Sequence, residues 1–67
     1  MKRKINLDLI REKRLKLGYS NEEMANCLGL ASPEKYFRRE HGTYKFQAGE
    51  LPALSKKLEI PLEKIFV

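Results

Sequence analysis

The residues best equipped for chemistry are crowded into one stretch: Glu34, Lys35, Phe37, Arg38, Arg39 and His41. Three cations at helical spacing suit an anionic surface, and their donors also match the guanine O6 and N7 edge. Glu34 can accept from cytosine N4, or can stabilise the positive N-terminus of the helix it opens. Elsewhere the chemistry is thin. Cys27 and His41 are the only cysteine and histidine. They make a poor nucleophile–base pair, because a cysteine between Asn26 and Leu28 on a helix is ordinary packing material. One of each falls short of the ligands a structural zinc needs. No glycine-rich phosphate loop is present, so neither an enzyme, a cofactor nor a metal centre is expected, and no small-molecule ligand is evident.

The elements around this stretch follow from capping signals. Ser20 with Glu23 three residues later reads as a capping box, and Met24 and Leu28 with small Ala25 give the helix a buried stripe. Gly29 ends it. Ser32-Pro33-Glu34 is a second start, with an N-cap, a proline at the first helical position and an early acid. Gly42 closes that helix. Two short helices over about 21–41, joined by a glycine-bearing link, form a helix-turn-helix pattern. Before it, a first helix opens at Ile5 or Asn6, places Leu7, Ile10, Arg14 and Leu17 on one face, and stops at Gly18. After it, Phe46 plugs the core, Gln47 and Glu50 form another capping box, and Leu51, Leu54 and Leu58 carry a fourth helix. Pro52 implies that this helix begins near Glu50 or has a distorted first turn. Pro61–Phe66 adds a last turn or two.

The pattern resembles the Cro/C1-type helix-turn-helix regulators, the XRE family. The resemblance rests on Ser20-Asn21-Glu22-Glu23-Met24-Ala25, Leu28-Gly29-Leu30 and Arg38-Arg39-Glu40-His41-Gly42, and spans about Leu7 to Phe66. Asn21 stands where the family has glutamine, Met24 where it has leucine, and Lys13 where it prefers leucine. The turn is one residue longer than the family's standard form, which moves a core position from Lys35 onto Tyr36. The resemblance implies an all-α fold, a compact bundle of about five short helices of the lambda-repressor-like kind. It also implies that Arg14 pairs with Glu40 inside the domain, with Arg11 as the fallback partner of Glu40.

A helix-turn-helix lays its second helix, here about 33–41, in the major groove. Tyr36 then faces the core and Arg39 lies along the surface with its stem packed. The outward set is Pro33, Glu34, Lys35, Phe37 and Arg38, with His41 as a further candidate. Lys35 and Arg38 read guanine or neutralise phosphate. Phe37 either meets a thymine methyl or packs under the fourth helix. Asn21, Ser32 and Lys45 are candidates for phosphate contacts, although capping alone explains Ser32. Lys2, Arg3 and Lys4, within a basic segment over 1–5, are either a solvated terminus or an arm tracking the duplex.

Composition agrees. The chain has 67 residues, one domain's worth, with a net charge of +5 and a pI near 9.6. Nucleic acid is the first partner such a balance favours. A lone cysteine and the lack of any apolar run near the ~20 residues of a membrane span point to the cytoplasm. The expectation is a sequence-specific regulator of double-stranded DNA from a bacterial, phage or mobile-element setting. It acts as a homodimer on a palindromic operator. Repression is favoured, because occupancy suffices and no sensing domain fits. The rival reading is a protein-interaction or antitoxin-type module of the same fold, using Leu15, Leu62, Ile65, Phe66 and Val67.

Overall fold

The computed structural model describes residues 4–67. Four α-helices follow one another: α1 (Leu7–Leu17), α2 (Asn21–Cys27), α3 (Pro33–Glu40) and α4 (Leu51–Leu58). Single 3-10 turns at Ala48–Glu50 and Leu62–Lys64 complete the described elements, and the whole measures 32 × 22 × 18 Å. The expected fifth helix is therefore only a 3-10 turn. Pro61 sets its start and Ile65 must turn inward directly after it, so no further turn can form.

Local chemistry sets the boundaries. The Asn6 side chain accepts from the Leu9 N–H at 3.2 Å, which makes Asn6, not Ile5, the first cap. Gly18 closes α1 in the left-handed region at φ 77°. The Ser20–Glu23 capping box is reciprocal: the Glu23 N–H donates to Ser20 Oγ at 3.1 Å, and the Ser20 N–H to Glu23 Oε1 at 3.2 Å. Pro52 sits in the first turn of α4, where its missing N–H has no intrahelical partner to lose.

Ile10, Met24, Ala25, Tyr36, Phe46, Leu54, Leu58, Ile60 and Ile65 form one buried core, so each helix contributes at least one side chain. Tyr36 and Phe46 meet edge to face with centroids 6.1 Å apart. Ile10 is the sole fully buried residue of α1, and Lys13 lies half-buried beside it, in keeping with a shallowly packed first helix. Ile65 is fully buried, which removes it from the exposed apolar end the sequence implied; Leu62 and Val67 stay exposed.

Two polar features lock the bundle. Arg14 donates from Nε and Nη2 to the two oxygens of Glu40 at 2.8 and 3.2 Å, and from Nη1 to the Tyr19 carbonyl at 2.9 Å. Arg11 instead pairs loosely with Asp8, so the fallback partner is not used. At the chain ends Ile5 and Phe66 form an antiparallel bridge, with the Asn6 N–H donating to the Ile65 carbonyl and the Val67 N–H to the Lys4 carbonyl, each at 2.7 Å. No helix among the described residues is long and apolar enough to cross a membrane.

Candidate nucleic-acid interface

The α2–α3 pair is built so that α3 must expose its charged side. Tyr36 and Glu40, one turn apart, are buried under it against α2 and α1. With 3.6 residues per turn, burying those two turns Glu34, Lys35, Arg38 and His41 outward, with Phe37 on the flank. Tyr36 is fully buried and Lys35 is exposed. Gly29 at φ 72° provides the turn between α2 and α3, and the Leu30 N–H returns to the Ala25 carbonyl at 2.8 Å.

The outward residues are not equally free. Arg38 is ion-paired with Glu34 one turn earlier, and its guanidinium lies 5.8 Å above the Tyr44 ring. Glu34, expected as a cytosine acceptor or a helix-terminal acid, and Arg38, expected to read guanine or neutralise phosphate, instead form one unit of nearly cancelled charge. Their i, i+4 spacing was the signal for it. Arg39 is held inward: its Nε donates to Glu50 at 2.9 Å and its Nη1 to the Lys35 carbonyl at 3.1 Å. Glu50 also accepts from the Gln47 N–H at 3.0 Å, so one carboxylate caps the 3-10 turn and fastens it to α3. Lys35 and Lys45 are exposed and have no ion-pair partner among the described residues.

Phe37 is 45% exposed and lies flat on His41, centroids 4.0 Å apart. It is not among the apolar side chains that form the core or pack against it. His41 Nδ1 stands 3.0 Å from the Phe37 carbonyl, an acceptor only, so Nδ1 is the donor of that contact. This stacked shelf was missed in sequence, although its i, i+4 spacing is also readable.

The remaining candidates divide. Pro33 is exposed at the first position of α3. Ser32 occupies the N-cap in an extended conformation, yet its side chain makes no capping hydrogen bond, which corrects the expectation that capping explains it. Asn21 opens α2 with its Oδ1 buried and unpartnered, leaving the amide nitrogen and backbone N–H as the donors able to meet a phosphate. Lys4 is exposed beside the terminal bridge; Lys2 and Arg3 lie outside the described residues. No cluster of His, Cys, Asp and Glu able to hold a metal occurs among the described residues. The Cys27 Sγ rests 3.8 Å from the Ala53 carbonyl, packed between α2 and α4.

Comparison with protein families, with curated proteins and with solved structures returned no match to this chain.

Proposed function

We propose that the chain is a sequence-specific binder of double-stranded DNA, in which α2, the turn and α3 act as a helix-turn-helix and α3 enters the major groove. The bundle is then of the lambda-repressor-like kind, in line with the Cro/C1-type resemblance. A repressor of a bacterial, phage or mobile-element promoter, working as a homodimer on a palindromic operator, is the role that fits. The observation carrying this reading is the polarity of α3. Its buried side is anchored by Tyr36 and Glu40, while its free side offers donors, an acceptor and an aromatic ring on a basic domain.

Within this reading the roles are distinct. Lys35, unneutralised, supplies the strongest direct attraction to a base edge or phosphate. Glu34 orients the Arg38 guanidinium and shields it, so Arg38 is a poor general phosphate binder and a better reader where an acceptor edge fits the fixed geometry. Phe37, backed by His41, presents a ring suited to a thymine methyl. Asn21 and Ser32 face the strand that passes the N-termini of the two helices.

Selection from a pool of random duplexes, sequenced and repeated at two salt concentrations, tests it. Enrichment of an inverted repeat, with affinity falling steeply as salt rises, is the expected result. Lys35→Ala should weaken all duplexes, whereas Arg38→Ala should relax preference at particular positions. Binding without any enrichment would remove the sequence-specific reading. The exposed Leu15, Leu62 and Val67 would then direct the search to protein partners.

A further inference from the structure

The end of α3 carries an aromatic surface that duplex recognition does not use up. Phe37 is exposed and stacks on exposed His41, with ring centroids 4.0 Å apart and planes inclined by 22°. The neighbouring Arg38 guanidinium lies 5.8 Å above the ring of Tyr44, which is also exposed. Three rings and a guanidinium therefore gather at the last turn of α3 and the segment after it, and none of the rings belongs to the core. The Phe37–His41 shelf is held before any ligand arrives. His41 Nδ1 donates to the Phe37 carbonyl at 3.0 Å, so the backing ring has little freedom left to lose on binding.

In a duplex the faces of each base are covered by its neighbours, and the grooves show only edges. Ring faces match unpaired bases instead, whose own faces are free, and an arginine guanidinium adds cation–π stacking. Charge complements this surface. Lys35 lies on the same helix, Lys45 follows Tyr44, and neither has an ion-pair partner among the described residues of a chain with net charge +5. We propose that this surface binds single-stranded nucleic acid, with one unpaired base stacked on the Phe37–His41 shelf and another on Tyr44. The activity goes beyond duplex recognition and does not rest on it. Every base has a π-face, so the surface selects for strandedness rather than for sequence. An acidic protein segment would meet the same lysines but would bring no base to stack on the rings.

The test measures fluorescence anisotropy of labelled single strands titrated with the full chain at low salt. The strands are oligothymidylate, oligouridylate and an abasic deoxyribose–phosphate strand of the same length. All three carry the same phosphates, so a base-bearing strand should bind roughly tenfold tighter than the abasic one. The ratio of the thymidine to the uridine strand then assigns the ligand to DNA or to RNA. Phe37→Ala should weaken the base-bearing strands by roughly tenfold and leave the abasic strand unchanged, and Tyr44→Ala should act in the same direction. Both side chains are exposed, and circular dichroism confirms that each variant keeps the helical fold. Phe37→Trp should retain the affinity, and its indole fluorescence should be quenched as oligothymidylate stacks, a clean signal because the chain has no other tryptophan. Equal affinity for the base-bearing and abasic strands would overturn the proposal. So would a Phe37→Ala chain that binds oligothymidylate like the wild type. Failure of the duplex selection would leave these readouts standing, because none of them uses a duplex.

Discussion

Glu40 illustrates how much one residue decides. Its carboxylate is 1% exposed and its partner Arg14 13% exposed, so the pair is largely removed from water. A buried ion pair contributes little net stability against a well-packed apolar alternative, but removing one partner strands a charge at about 3–5 kcal/mol. A core of this size supplies only about 3–5 kcal/mol in total. Glu40→Ala should therefore be largely unfolded at room temperature, as urea titration followed by circular dichroism will show. Tyr36 lies against the same pair, near enough to feel its charges, yet its hydroxyl is buried without a hydrogen-bond partner. Burial first, and then the Glu40 carboxylate, pushes that hydroxyl well above its ordinary range. Tyr36→Phe should consequently be neutral or stabilising by about 1 kcal/mol at neutral pH. The pH dependence has a definite sign. The unfolded chain releases the Tyr36 proton near 10.0 while the folded chain retains it, so this contribution is intact below pH 10 and declines above it. The difference in urea midpoint between Tyr36→Phe and wild type should then widen in favour of the variant as pH rises past that point.

At the scale of elements, the chain's turns depend on which residues accept left-handed backbone. Gly42 ends α3 at φ 82°, and a Cβ there would also meet Leu7 Cδ1 at 3.4 Å. Glu59 ends α4 at φ 57° with no glycine to ease it. The same physics thus predicts opposite signs: Gly42→Ala should destabilise by about 1–2 kcal/mol, and Glu59→Gly should stabilise by up to about 1 kcal/mol. Thermal melts of the two variants check both.

For the whole molecule, small size and surplus charge act together. With so little core, anything that binds the folded form alone has a large effect on melting. On the proposed DNA-binding reading, a duplex carrying the selected site, present at a hundred times its Kd, should add about 2.7 kcal/mol. For a domain of this length that raises the melting temperature by on the order of 10–20 °C. The shift should shrink with added salt and be smaller for a scrambled duplex, measured by differential scanning fluorimetry. Equal shifts for both duplexes would mean that the +5 charge, rather than α3, governs binding.

Much of this was legible in the linear chain because it depends on neighbours. Ser20 with Glu23, Gln47 with Glu50, the stops at Gly18, Gly29 and Gly42, and the early proline of α4 are contacts within a few residues. The inward turn of Tyr36 and the Arg14–Glu40 pair were both implied by resemblance. The i, i+4 pairs Glu34–Arg38 and Phe37–His41 were equally readable and were overlooked. Other features have no local signature. The burial of Ile65, the Arg39–Glu50 tie and the bridge between Ile5 and Phe66 all join segments distant in the chain. Patterns of capping and periodicity determine where helices start, stop and turn apolar. Which charges are left unpaired is decided only once packing brings remote side chains together, because neutralisation depends on distance in space.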